Sequence, residues 1–224
     1  MLTGCQVVSG AGQYTQVRFI AASPDTPAVD VSQNGAPVLY GVGFGTASSY
    51  MPVAPGAYTY AIHTTALHQQ LANTSGLLSA GGQYTVLVGN TAAELKMTVL
   101  KDQATAAPPG RMALRFVDEA TRSSAVDLYL VAAGKTLTAS SRAVVADVSF
   151  GNAPTYIDYR AGTYSVVAFP AGTVPGSSVA PLYSSNQLEF ASGSARTIVL
   201  LDSPEAASSG LQAVLATDFD PSAN

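Results

Sequence analysis

Apolar and polar residues alternate along most of this chain in short runs rich in Val, Ile, Leu, Tyr and Thr, separated by Gly, Pro, Asn and Ser. A period of two with turn-formers between the runs is the pattern of half-buried strands, not of amphipathic helices. It predicts strands over 16–20, 29–31, 37–40, 44–53, 58–62, 84–88 and 95–100, then over 113–117, 126–131, 144–150, 164–169, 182–190, 197–201 and 211–216. Asn34-Gly35, between the second and third runs, predicts a two-residue hairpin turn, because that pair tolerates the positive φ angles required. Residues 64–73 have poor apolar spacing and predict at most a turn or two of helix.

The pattern is written twice. Val17-Arg18-Phe19-Ile20, Ala28-Val29-Asp30-Val31, Phe44-Gly45-Thr46 and Gly56-Ala57-Tyr58-Thr59 return as Leu114-Arg115-Phe116-Val117, Ala125-Val126-Asp127-Leu128, Phe150-Gly151-Asn152 and Gly162-Thr163-Tyr164-Ser165. Arg18 and Asp30 recur 97 positions on, Phe44 and Gly56 recur 106 on, and Thr85 pairs with Thr197, 112 on. The second copy therefore gains nine residues between its Asp and its Phe, and six more after its Gly-x-Tyr. Loops absorb such insertions and packed strands do not. The fold class expected is all-β, two tandem Ig-like antiparallel β-sandwich domains. Residues 14–103 form the first repeat and 112–219 the second. Between them 104–111, with Pro108-Pro109, is the linker, and 220–224 is a C-terminal tail. The Gly-x-Tyr elements at Gly12, Gly56, Gly82 and Gly162 read as corners, each Tyr entering a strand with its hydroxyl at the rim.

Composition then narrows the setting. Hydrophobic residues make up 47% and charged residues 11%, with a net charge of −4. Such a chain is globular and has no basic stripe, so nucleic acid is not an expected partner. The single cysteine, Cys5, excludes an internal disulfide. Leu2-Thr3-Gly4-Cys5 resembles a bacterial lipobox, with a Ser/Gly-rich tether after it, so residues 1–13 read as a lipid-bearing N-terminus. That gives Cys5 as the lipidation site, a membrane as partner through its lipid, and an extracytoplasmic location at the outer membrane or cell surface.

Candidate chemistry is sparse. His63 and His68, five apart with no carboxylate cluster in the sequence nearby, read as exposed polar residues, and no metal site is expected. Asp218, Asp220 and Asn224 read as a frayed acidic tail. No Gly-x-Ser-x-Gly elbow is present, and Gly134-Lys135-Thr136 lacks the glycine a phosphate loop needs, so neither an enzyme nor a cofactor is expected. The charged constellation common to both copies is Arg18 with Asp30 and Arg115 with Asp127, read as a structural latch of cross-strand ion pairs. The eleven Tyr, including Tyr40 and Tyr129, could line a sugar platform, although Trp is absent.

Val17 to Val31, with its Ser23-Pro24-Asp25-Thr26-Pro27-Ala28-Val29-Asp30 core, followed by Phe44-Gly45-Thr46 and Pro55-Gly56-Ala57-Tyr58-Thr59, resembles the bacterial "domain of unknown function 4397" family. The resemblance implies an all-β domain, often in tandem, in secreted or envelope-anchored proteins. Many members carry a His where this chain has Ala21, and the second copy replaces the motif with Glu119-Ala120-Thr121-Arg122-Ser123-Ser124. Ser23, Pro24 and Asp25 are therefore the candidate contact loop. The function expected is a non-catalytic structural or adhesive module, envelope-anchored or secreted, with envelope protein or polysaccharide as partner. The alternative is a carbohydrate-binding module at the cell surface.

Overall fold

The computed structural model describes residues 14–176, 178–203 and 210–223. Cys5, the tether after it and Asn224 lie outside the described residues. The first unit runs β1 (Thr15–Ala21), β2 (Val29–Gln33), β3 (Ala36–Val42), β4 (Thr46–Ala47), β5 (Met51–Val53), β6 (Gly56–Thr64), β7 (Gln70–Leu78), β8 (Gln83–Gly89) and β9 (Lys96–Asp102). The second runs β10 (Arg111–Asp118), β11 (Val126–Ala132), β12 (Val145–Val148), β13 (Ile157–Arg160), β14 (Gly162–Pro170), β15 (Tyr183–Ser184), β16 (Leu188–Phe190), β17 (Ala195–Asp202) and β18 (Leu211–Phe219).

Each unit is an Ig-like β-sandwich. In the first, β4-β1-β8-β9 faces β3-β2-β6-β7, with β5 also paired to β1. In the second, β13-β10-β17-β18 faces β12-β11-β14-β15, with β16 also paired to β14. Most neighbours are antiparallel, but β1 lies parallel to β8 and β10 parallel to β17. A parallel neighbour needs a long crossover, and here the excursion through the opposite sheet supplies it. The hairpin turn at Asn34-Gly35 has φ angles of 49° and 80°, as its sequence requires. Two of the tyrosine corners close by hydrogen bonds: the Tyr58 hydroxyl donates to the Ala54 carbonyl at 2.8 Å, and the Tyr84 hydroxyl accepts from the Ser79 amide at 2.9 Å, while Gly12 lies outside the described residues.

One core fills each sandwich. Val17, Phe19, Tyr60, Ile62 and Val86 centre the first, and Leu114, Phe116, Leu128, Val166 and Phe190 the second. A third cluster lies between the sandwiches, joining Ile20, Ala22 and Leu87 to Val117, Val199, Leu201 and Ala216. Alternation along β1 explains it. Val17 and Phe19 enter their own core, while Arg18 and Ile20 point at the other unit. The strands β1, β8, β10 and β17 are thus buried on both faces, and they read as near-continuous apolar runs for that reason. The molecule is four layers deep, with two inner sheets back to back and two outer sheets facing solvent.

Residues 64–73 correct the helical expectation. The chain turns at 64–69, where the His68 amide bonds the Thr64 carbonyl at 3.0 Å, and then runs into β7. Among the described residues the helical segments are the 3-10 turns Ala92–Glu94 and Pro221–Ala223.

Candidate functional site

The four latch residues are all buried, but with partners other than those the repeat suggested. Arg18 and Asp30 sit on opposite outer faces of one sandwich with its core between them, and the same holds for Arg115 and Asp127, so neither pair can meet. Arg18 instead reaches the second sandwich. Its Nε donates to Thr85 Oγ1 at 2.8 Å, Nη1 to the Thr217 carbonyl at 2.8 Å, and Nη2 to the Asp218 carboxylate. Arg115 reaches back, with Nε donating to Thr197 Oγ1 at 3.1 Å, Nη1 to the Lys101 carbonyl at 3.0 Å, and Nη2 to the Asp102 carboxylate. Asp102 also accepts from Thr85 and Tyr50, and Asp218 from Thr197 and Tyr156. Each guanidinium lies over its own unit's tyrosine ring, 4.7 Å from the centroid for both Tyr50 and Tyr156.

The interface is therefore a pseudo-two-fold, in which each group is answered by its repeat counterpart across the axis. Burial drives the Asp218 carboxyl pKa up against the opposing pull of Arg18. Burial, the largest single influence, lowers the Arg18 pKa, and Asp218, Tyr50 and Asp102 together outweigh it to raise the value. Asp218 is 2% exposed, which corrects its reading as part of a frayed acidic tail: it belongs to β18 and faces the opposite unit. The sequence does carry the signal for this network. Tyr50 and Tyr156 are 106 apart, the same offset as the Phe-Gly landmark, and Thr85 and Thr197 were already matched.

Ser23, Pro24 and Asp25 form a tied-down turn. Ser23 is buried and lies 2.6 Å from Thr26 Oγ1, and Asp25 accepts from the Ala92 amide at 2.7 Å, which closes the following 3-10 turn. The replacement in the second copy is aimed at the domain interface instead. Glu119 is 8% exposed and accepts a hydrogen bond from the Asn90 backbone amide, and a Cβ built on Gly89 would lie 2.0 Å from its Oε2. Burial pushes the Glu119 carboxyl up to about 7 and that of Asp118 beside it up to about 6.

The two outer faces differ sharply. On the first sandwich, Asp30 is paired across the strands with His63, and Ser32 with Ala61. Asp30, Ser32 and His63, together with Pro37, Tyr40 and His68, line an open groove of about 450 Å³. Ser32 Oγ lies 2.8 Å from His63 Nε2, and His63 Nδ1 lies 3.3 Å from the His68 carbonyl. A carbonyl only accepts, so Nδ1 carries the proton and Nε2 takes the serine hydroxyl. Tyr40 is 70% exposed, with its ring free for contact. On the second sandwich the corresponding positions are Tyr129, Val167 and Phe169, which pack beneath Leu137 and Ala143 of the inserted segment. Tyr129 is 4% exposed, which removes it as a stacking residue. The insertion closes in one unit the face that stays open in the other.

Asp30 and Asp127 show the same contrast within one residue. One oxygen of each holds the neighbouring strand, Asp30 accepting from the Gly41 amide and Asp127 from the Asp147 amide, both at 2.9 Å. The second oxygen of Asp127 accepts from the Gly172 amide at 2.8 Å, whereas that of Asp30 faces the groove and His68 Nδ1, 3.6 Å away. Sequence reasoning missed this grouping because His63, His68 and Asp30 converge only once β2 and β6 are in register.

The family profile described as "Domain of unknown function (DUF4397)" matches residues 15–129. The chain belongs to the DUF4397 family. The DUF4397 match takes in the whole first sandwich and ends within β11. No curated protein matches the chain as a sequence relative. Among solved structures, it is similar to a family 26 carbohydrate-binding module of Eubacterium rectale Amy13K, solved with maltoheptaose, at 9% identity and a TM-score of 0.28. That alignment covers 93% of this chain and 98% of the other. A family 41 carbohydrate-binding module from streptococcal virulence factors aligns at 9% identity and a TM-score of 0.26, covering 83% and 93%. A candidate cell adhesion protein of Bacteroides fragilis aligns at 8% identity and a TM-score of 0.23, covering 92% and 98%. Likeness at this level carries no ligand over to the DUF4397 chain.

Proposed function

We propose that this protein is a non-catalytic adhesive module of the bacterial cell envelope, built from two copies of the DUF4397 domain and tethered through a lipid on Cys5. Its contact surface is the open outer face of the first sandwich, and its ligand is hydroxyl-rich, a polysaccharide. The observation that carries this reading is the difference between the outer faces: the second is filled by its own insertion, while the first keeps an open polar groove. A sugar presents hydroxyls to hydrogen-bond and an apolar ring face to stack. Asp30, His63 and His68 supply the first kind of partner, and the exposed Tyr40 ring supplies the second. The Ser23-Pro24-Asp25 turn, bound to Thr26 and Ala92, is not among the residues that line this groove.

The test is a glycan array followed by calorimetry on the best ligand, with wild type and Tyr40→Ala compared. Because Tyr40 is mostly solvent-exposed, the variant should keep its melting temperature and bind about tenfold more weakly, a stacking loss of the usual size. Absence of binding to any glycan, or unchanged affinity in Tyr40→Ala, overturns the reading.

A further inference from the structure

Sheets in natural proteins guard their open edges with charge, proline, bulges or brevity, since an unguarded edge pairs with another chain. Most edges here are guarded. Strand β3 contains Pro37 and Gly41, β9 contains Lys96 and Lys101, and β12 and β13 are four residues each and contain Asp147 and Asp158. Strand β18 contains Asp218 and runs beside β4 and β15. The counterpart of β7 in the second copy is broken into β15 and β16, of two and three residues.

Strand β7 packs its inner side on β9, with Gly76 against Val99, but its composition is unlike that of the other edges. It is nine residues long, Gln-Leu-Ala-Asn-Thr-Ser-Gly-Leu-Leu, with no charge and no proline, and its bulge is at Leu71, next to its first residue, so that residues 72–78 pair with β6 without a break. It also carries two exposed leucines, Leu71 at 38% and Leu77 at 75%. They lie symmetrically about Thr74, three positions to either side. An antiparallel partner of the same sequence, paired with the two-fold through Thr74, sets Leu71 of one copy against Leu77 of the other, twice. It also sets Asn73 against Ser75 and brings no like charges together.

We propose that β7 is a self-association edge whose occupant is β7 of a second copy of this chain, joined in that register. The outer sheets then continue through the junction. A two-fold perpendicular to the sheet turns both outer faces to the same side, so the two Tyr40 grooves point the same way. That bivalence rests on the adhesive reading above, whereas the strand pairing does not. An edge contact of this length falls at the small end of specific interfaces, so the dimer forms in a concentration-dependent way.

Sedimentation equilibrium of the full chain tests it without any ligand. Wild type should show a reversible monomer–dimer equilibrium. Leu77→Lys, a change at an exposed position, should weaken it at least about tenfold with an unchanged melting temperature. Leu71→Glu alone should weaken it as well. The double variant Leu71→Glu/Leu77→Lys should restore it, since each Glu then faces a Lys of the other copy. Within one chain these positions are about 20 Å apart along the strand, too far to pair. A wild type that stays monomeric at high concentration, a dimer indifferent to Leu77→Lys, or a double variant that fails to recover each overturns the proposal. None of these outcomes alters the glycan result, so the two readings fail separately.

Discussion

Arg18 and Arg115 use every face of their guanidinium groups, with Nε on their own unit's threonine and the two terminal nitrogens on the other unit's carbonyl and carboxylate. With both charges buried, removing one partner takes away the other's main counter-charge; Arg18 keeps only the longer contact to Asp102 at 3.7 Å. Breaking such a pair costs about 3–5 kcal/mol. Arg18→Ala should therefore destabilise the protein by about that amount, and Asp218→Ala by a similar one. The double variant should lose well under the sum, because the second removal no longer strands a charge. Chemical denaturation of the four proteins gives the coupling, and simple additivity would refute the pairing. Asp30 plays a different part, because one of its oxygens anchors β3 and the other faces the groove.

At the scale of elements, the turn after β10 shows how a repeat is adapted. In the first copy this position is Ala22, packed in the apolar cluster that also holds Leu201. In the second it is Glu119 against Gly89, so a small residue meets a large one on each side of the pseudo-two-fold. Burial raises the folded-state pKa of Glu119 to about 7 and of Asp118 to about 6, above the ordinary values of 4.5 and 3.8. The folded protein then holds more protons than the unfolded chain across that window. Stability should accordingly be highest near pH 4 and fall as pH rises toward about 7. Thermal melts across this range should show the decline, and Glu119→Gln should flatten about half of it, Asp118 supplying the rest; a slope unchanged in that variant would place its source elsewhere.

The same elements show what was legible in the sequence. Apolar alternation in the outer sheets, the near-continuous apolar runs of β1, β8, β10 and β17, and the duplicated landmarks together suffice for the all-β sandwiches. Strand β7 escaped because its inward positions are Ala72, Thr74 and Gly76, small residues that leave no apolar stripe to read. The Arg–Asp pairing escaped because the charged residues of β1 and β10 point away from their own cores, toward a neighbour that a single repeat does not reveal. The groove escaped because an open face is defined by what does not cover it, and that depends on where the insertion of the other copy folds.

For the whole molecule, these contacts make two sandwiches into one cooperative body. The connector between β9 and β10 is tied to the second unit, with Ala107 packed against Ala113 and Ala195, the Gln103 amide donating to the Tyr156 hydroxyl and the Gly110 amide to Ser192. The apolar cluster between the inner sheets and the paired Arg–Asp networks join the units directly, as an isologous dimer is joined. Covalent continuity should then be dispensable once the chain has folded. With a protease site inserted after the exposed Thr105, the cleaved protein should elute from gel filtration as one species at the intact size, and it should unfold in one transition. The Glu119–Gly89 contact also forms only between unlike halves: two second units would set Glu119 against Leu201, the counterpart of Gly89, and two first units would leave Ala22 facing Gly89 across a void. The cleaved halves should therefore re-form the mixed pair after dilution and reconcentration, as native mass spectrometry would show. Separate elution of the halves, two unfolding transitions, or equal amounts of like and unlike pairs would mean that the connector, not the interface, holds the molecule together.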